Sequence, residues 1–92
     1  MVKKYTRAEV AARLQATMDA GNAVIVAGAG NGLSAKCAEI GGIDLIVIYN
    51  SGRFRMDGLP SIAGLMPFGN ANDIVFELGE RHIFPAVKEV PV

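Results

Sequence analysis

The sequence predicts an α/β fold with parallel strands, forming a single domain over residues 1–92. Two short apolar runs, 23–27 and 43–49, are rich in β-branched residues and bounded by turn residues, as buried strands are. Segments of helical periodicity precede, separate and follow them, and an apolar stretch at 90–92 resembles the start of a third strand. This alternation implies parallel strands joined by right-handed crossovers, so both strand-to-helix turns should open at the carboxyl edge of the sheet.

The first helix is predicted over residues 7–20. Thr6 and Glu9 have the spacing of a capping box, in which each side chain satisfies a free backbone N–H at the helix start. Three apolar residues then recur every four positions and should form one inward face: Val10, Leu14 and Met18.

Each predicted strand is followed by a turn or loop. A tight glycine-rich turn, 28–32, leads into a short helix from Ser34 to Glu39. The second connection, 50–69, is predicted to lack regular structure, and loops of this length are uncommon in compact domains unless they bind or cover something. The two connections should lie side by side, so this edge is where a ligand site is expected.

The last helix is predicted over residues 71–84. Asn70 or Asn72 is suited to be its N-cap, and Pro85 should end or kink it. Three residues should face inward: Ile74, Val75 and Leu78.

The composition argues against several classes of partner and location. Nine basic and nine acidic residues cancel, so no global field attracts nucleic acid or an anionic membrane, and we expect neither as a partner. No run approaches the roughly 18 apolar residues of a membrane span. The single cysteine cannot form an internal disulfide, which favours a reducing, cytoplasmic location. Apolar residues make up 51%, which is consistent either with buried parallel strands or with surface that needs a partner.

The glycine-rich turn is similar to a dinucleotide fingerprint but departs from it twice. The third glycine, Gly32, comes one residue early, and Asn50 stands where an acidic residue would bind a ribose hydroxyl. Both departures argue against NAD. The backbone N–H groups near Gly30 could still hold a phosphate or carboxylate; alternatively, the glycines only permit a tight turn.

The segment 50–55 suggests anion binding more directly. Asn50 and Ser51 offer short hydrogen-bonding groups at a strand end, and Gly52 allows close backbone approach. Arg53 and Arg55 could bind a carboxylate or phosphate with two hydrogen bonds each, and in an extended segment both would lie on one side. Alternatively, one arginine pairs with a nearby acid and only fixes the loop. The candidate ligand-binding residues are Gly28, Gly30, Asn31, Asn50, Ser51, Gly52, Arg53 and Arg55.

No catalytic or metal-binding residue can be assigned from the sequence, and no cofactor is identified. His82 lies late in a helix and is expected in a capping or surface role, and Cys37 is expected to be buried. Three acids are candidates only by elimination: Glu39, Asp44 and Asp57.

With both turns placed, the chain resembles the phosphoenolpyruvate hydrolase-like family, also described as TIM-barrel signal transduction proteins. The resemblance is carried by the stretches 27–36, 41–47, 49–56, 64–68 and 70–72. It implies a cytoplasmic (β/α)₈ barrel related in fold to enzymes that handle phosphoenolpyruvate and pyruvate. If the chain is active, the resemblance implies a hydrolase or lyase, and it allows a divalent metal by analogy only.

A TIM barrel needs about 250 residues, so 92 residues correspond to a partial barrel: a leading helix, two βα units and a strand stub. Such a chain leaves open sheet edges, which proteins must pair or cover. We therefore expect self-association into a homo-oligomer that binds a small anionic phospho- or keto-acid. The alternative is a non-enzymatic assembly module or an inactive barrel fragment.

Overall fold

The computed structural model describes residues 2–92 and shows alternating helices and strands around one parallel sheet. The order is α1 (Arg7–Asp19), β1 (Val26–Gly28), α2 (Gly32–Ile40), β2 (Leu45–Val47), α3 (Asn50–Met56) and α4 (Ala71–Leu78). A 3₁₀ helix, Ser61–Leu65, lies between α3 and α4, and a π-helical turn, Gly79–Ile83, continues α4. The predicted α/β class with an open parallel sheet is confirmed.

The two strands pair in parallel, with Val26 opposite Leu45 and Gly28 opposite Val47. One face of this sheet carries Ile46, which joins side chains from the helices in the core. The core residues are Ala29, Ala35, Ile46, Leu78, Ile83, Val87 and Val90.

The opposite face of the sheet is largely exposed. Val26 and Val47 point there and are 46% and 40% exposed. The prediction that both strands are buried is therefore wrong for this face of the sheet. The helices that follow the strands cover the face of Ile46, whereas on the other face the Tyr49 side chain covers Gly28 and leaves Val26 and Val47 exposed.

Helix α1 has the predicted capping box. The Thr6 hydroxyl accepts from the backbone N–H of Glu9 at 3.2 Å, and the Glu9 carboxylate accepts from the backbone N–H of Thr6 at 2.6 Å. None of the helix residues is buried, however, and Met18 is half-exposed. The predicted inward face is formed only in part, because Val10 and Leu14 are partly buried while Met18 is not. The molecule as a whole is elongated, with extents of 43 × 25 × 23 Å.

The connection 50–69 is not a loop without regular structure, and that prediction is wrong. Tyr49 takes an extended conformation and α3 begins at Asn50. The α3 sequence has modest helix propensity and contains Gly52, so tertiary packing against the 3₁₀ helix and α4 must stabilise it.

The remaining helices depart from prediction mainly at their ends. Asn31 caps α2, which starts two residues earlier than predicted and extends to Ile40. Asn70 is the N-cap of α4, accepting from the backbone N–H groups of Asn72 and Asp73 at 2.9 and 3.3 Å. The α-helix ends at Leu78 and the π-helical turn carries the chain on toward Pro85.

The predicted third strand, 90–92, is not formed as a strand, yet it lies beside β2. The backbone N–H of Ile46 donates to the carbonyl oxygen of Pro91 at 2.9 Å. Close by, the backbone N–H of Lys3 donates to Lys88 and the Tyr5 hydroxyl donates to Glu89, at 2.7 and 2.5 Å. The amino- and carboxyl-terminal segments are thus joined at one side of the sheet.

Candidate functional site

The two strand-to-helix turns meet at the carboxyl edge of the sheet, as predicted. Gly30 and Gly52 are both buried where the turns touch. A Cβ atom on Gly30 would overlap the carbonyl oxygen of Gly52 and the side chain of Met56. These glycines therefore allow two backbones to pack directly against each other.

A tyrosine lies over the end of β1 and contacts an arginine. A Cβ atom on Gly28 would be 2.7 Å from the Tyr49 hydroxyl, so the ring sits directly against this strand end. Arg55 Nη1 donates to that hydroxyl at 3.3 Å, and the guanidinium carbon lies 5.4 Å from the ring centroid. Arg55 Nε also donates to the Ser61 hydroxyl at 2.6 Å. The Arg55 guanidinium is thus oriented by two neutral partners.

Arg53 is arranged differently. Its Nη1 atom lies 3.4 Å from Asp57 Oδ1, one helical turn further along α3. Because the segment is helical, Arg53 and Arg55 project about 200° apart, and the arrangement expected for an extended segment is wrong. Arg53 lines a cleft of about 240 Å³ that also includes Phe68 and His82. Its pairing with Asp57 matches the alternative in which one arginine fixes the segment.

Three of the polar residues predicted to bind a ligand form hydrogen bonds that stabilise the two turns. Asn31 Oδ1 accepts from the backbone N–H of Ser34 at 2.8 Å and so caps α2. Asn50 Nδ2 donates to the carbonyl of Gly64 at 2.9 Å, and Asn50 Oδ1 accepts from the backbone N–H of Ser51 at 2.9 Å. The asparagines therefore have a structural use in the chain itself.

His82 and Cys37 are both exposed. His82 is exposed in the π-helical turn, in line with a surface role. Cys37 is exposed rather than buried, so that prediction is wrong. It follows Ala35, the buried residue of α2, by two positions, which turns it about 200° away from the core.

Glu39 has a structural role that the sequence did not indicate. Its carboxylate accepts backbone N–H groups from residues 88–90 at 2.8–3.1 Å. Desolvation alone would raise its pKa, but the N–H groups of Val90, Lys88 and Glu89 and the charge of Lys88 outweigh this and lower the pKa of Glu39. Of the other two acids that were candidates by elimination, Asp57 pairs with Arg53 and Asp44 accepts from the backbone N–H of Ile25 at 2.8 Å.

A larger groove, of about 850 Å³, lies away from the carboxyl edge. It runs between the amino-terminal segment and the end of the chain, and its walls include Val2, Tyr5, Phe84 and Val92. Residues 2–92 contain no group of three or more His, Cys, Asp and Glu side chains able to hold a metal ion. Among the helices of this part of the chain, none is long and apolar enough to cross a membrane.

Comparison with known proteins assigns the family. A family model described as phosphoenolpyruvate hydrolase-like matches residues 9–92. The chain belongs to the phosphoenolpyruvate hydrolase-like family. The resemblance drawn from the two turns is thereby confirmed, and both turns lie within the matched region of this phosphoenolpyruvate hydrolase-like chain.

Three curated relatives are much longer proteins. The ToMV resistance protein Tm-1(GCR237) of Solanum lycopersicum is 52% identical over 86 residues, covering 94% of this chain and 11% of that protein. The ToMV susceptible protein tm-1(GCR26) of the same plant is 55% identical over 80 residues, covering 87% and 10%. The putative transcriptional regulatory protein y4pA of Sinorhizobium fredii (strain NBRC 101917 / NGR234) is 40% identical over 89 residues, covering 96% and 14%. The phosphoenolpyruvate hydrolase-like chain thus spans about a tenth of the length of these relatives.

Proposed function

We propose that this stretch of a phosphoenolpyruvate hydrolase-like domain binds a small anionic phospho- or keto-acid at the carboxyl edge of β1 and β2. The observation that carries the proposal is the Arg55 guanidinium, which is fixed by Ser61 and by Tyr49, the residue whose ring lies against Gly28. A guanidinium has five N–H donors, and two are used here on neutral oxygens. Arg55 forms no salt bridge within residues 2–92, so its charge remains available to an anion.

The start of α2 supports the same proposal. The Asn31 side chain and carbonyl occupy the N–H groups of Ser34 and Ala35, which leaves those of Gly32 and Leu33 without intrahelical partners. A helix start with free N–H groups favours an anion. Because the two turns are in contact, this helix start and Arg55 belong to one edge of the sheet. We also propose that the chain acts in the cytoplasm, because a single cysteine favours a reducing compartment.

The experiment is a calorimetric titration of the chain with phosphoenolpyruvate, pyruvate and inorganic phosphate. Arg55→Ala should weaken binding by roughly 10-fold or more, because charge-assisted hydrogen bonds contribute about 1.5–3 kcal/mol. Arg53→Ala is the matched control and should change affinity by less than about threefold, since Asp57 already pairs with Arg53. Absence of binding of all three compounds to the wild type would overturn the proposal, as would unchanged affinity in Arg55→Ala.

A further inference from the structure

Two tyrosine–arginine pairs in this chain have similar geometry. Arg13 Nη1 donates to the Tyr5 hydroxyl at 3.0 Å, and Arg55 Nη1 donates to the Tyr49 hydroxyl at 3.3 Å. In each pair the guanidinium carbon lies near the ring, 5.8 Å from the Tyr5 centroid and 5.4 Å from the Tyr49 centroid. The two pairs are therefore comparable sets of hydrogen-bond donors.

The first pair binds an oxygen atom of the chain itself. The Tyr5 hydroxyl donates to the backbone carbonyl oxygen of Glu89, and Arg13 Nη1 donates to the same oxygen at 3.4 Å. The Tyr5 hydroxyl thus uses both its donor and its acceptor capacity. A tyrosine and an arginine in this geometry can converge on a single oxygen atom.

The second pair has no shared oxygen atom within residues 2–92. The Tyr49 hydroxyl accepts from Arg55, and no atom of these residues accepts the hydroxyl proton. A phenolic O–H is a donor as well as an acceptor, and the hydroxyl can rotate to suit its partner. Both side chains of the second pair therefore keep donors available to an oxygen atom from outside the chain.

We propose that Tyr49 is itself a ligand-binding residue, whose hydroxyl donates to the same anionic oxygen that Arg55 binds. This inference rests on the proposed function and adds a neutral donor to the cationic one. The oxygen belongs to a carboxylate or phosphate group, and it corresponds to the Glu89 carbonyl oxygen beside Tyr5. Tyr49 therefore contributes to affinity directly, besides orienting Arg55.

Gly28 determines where the Tyr49 hydroxyl lies. A Cβ atom on Gly28 would be 2.7 Å from the hydroxyl oxygen and 3.0 Å from the ring atom Cε1. Because these atoms are at the far end of a side chain, Gly28→Ala should displace the Tyr49 hydroxyl and leave the strand backbone in place. Gly28→Ala should therefore weaken anion binding about as much as Tyr49→Phe does.

The test is a double-mutant cycle in which phosphoenolpyruvate, pyruvate and inorganic phosphate are each titrated calorimetrically. Tyr49→Phe should weaken binding by about threefold or more in the wild type and also in Arg55→Ala. Tyr5→Phe is the matched control and should leave affinity unchanged, since the Tyr5 hydroxyl donates to Glu89. A loss with pyruvate assigns the bound oxygen to a carboxylate, and a loss with inorganic phosphate assigns it to a phosphate group.

Fluorine NMR reports on the hydroxyl in the intact site. The chain has two tyrosines, so labelling with 3-fluorotyrosine gives two resonances, and Tyr49→Phe identifies the one from Tyr49. The Tyr49 resonance should shift when a compound binds, and the Tyr5 resonance should stay in place.

The outcomes separate this inference from the proposed function. If Arg55→Ala weakens binding but Tyr49→Phe has no effect in that background, Tyr49 only orients Arg55, and the inference is wrong while the proposed function stands. A Tyr49 resonance that does not move when a compound binds overturns the inference in the same way. If none of the three compounds binds the wild type, both proposals fail.

Discussion

Glu39 Oε2 accepts a hydrogen bond from the backbone N–H of Val90 at 2.9 Å. The same carboxylate accepts from the backbone N–H groups of Lys88 and Glu89. The next residue, Pro91, accepts from Ile46 of β2. A side chain at the end of α2 thus fixes the stretch of chain that lies beside the sheet.

This contact makes stability depend on pH. The pKa of Glu39 is lowered in the folded chain, so its contribution is present above the unfolded pKa and is lost as pH falls through the folded pKa. We expect Glu39→Gln to lower the free energy of unfolding at neutral pH by about 1–2 kcal/mol. Urea denaturation at a series of pH values should also show that the free energy of unfolding falls less on acidification in the variant than in the wild type.

Glu77→Gln is the control for this pH effect. Glu77 is exposed and lies 3.7 Å from Arg81 in a surface pair, which should contribute little. Glu9 also has a lowered pKa, caused by its bonds with Thr6, so the comparison uses the difference between variant and wild type. Parallel stability-against-pH curves for Glu39→Gln and the wild type would contradict the assignment.

Tyr49→Phe should reduce the affinity for an anion by about three- to tenfold while keeping the ring against Gly28. The variant removes the hydroxyl that accepts from Arg55, so the guanidinium is less well oriented. Tyr5→Phe also loses a hydroxyl that contacts an arginine, Arg13, but away from the sheet's carboxyl edge. Calorimetric titration should show a loss for Tyr49→Phe only; equal losses would point to a general effect on the fold.

Gly30→Ala should destabilise the chain by about 1–3 kcal/mol, the usual cost of forcing extra atoms into a packed site. The added methyl group would overlap the backbone of Gly52, which cannot move like a flexible side chain. Gly41→Ala is the control, because its Cβ would be 3.4 Å from the nearest atom and its φ of −72° suits alanine. Chemical denaturation measures the free energy of unfolding of both variants. Equal values for Gly30→Ala and Gly41→Ala would show that the two turns can separate without cost.

Thr6→Ala should unravel the start of α1 with little effect on global unfolding. The loss of an N-cap costs a helix about 1 kcal/mol. Because α1 buries none of its residues, this cost is not transmitted to the core. Hydrogen exchange should show faster exchange in α1 and unchanged exchange in β2. Thr17→Ala, inside the same helix, should not speed exchange, and a lower global stability in Thr6→Ala would mean that α1 is coupled to the core.

Features that depend only on residues close together in the sequence were predictable. The capping box of Thr6 and Glu9 and the cap at Asn70 depend on spacing alone, and both form. The alternation of helical and strand segments likewise predicted the parallel sheet. Helix α3 was missed because its own residues favour it weakly and its stability comes from packing.

The orientation of the site residues depended on that missed helix. Arg53 and Arg55 would share a side in an extended segment, whereas the helix separates them. Tyr49 was overlooked, although an aromatic residue with a hydroxyl directly after a strand is a usable signal. The exposure of Val26 could not be predicted, because an apolar run does not reveal whether anything covers it.

The exposed face of the sheet affects the heat capacity of unfolding of this chain. Val26 and Val47 are already hydrated in the folded state, so unfolding brings less new apolar surface into water. The heat capacity of unfolding, typically about 12–15 cal/mol/K per residue, should therefore fall below that range. Its denaturant m-value should be small for the same reason, which makes the folded state respond only gradually to temperature and to urea.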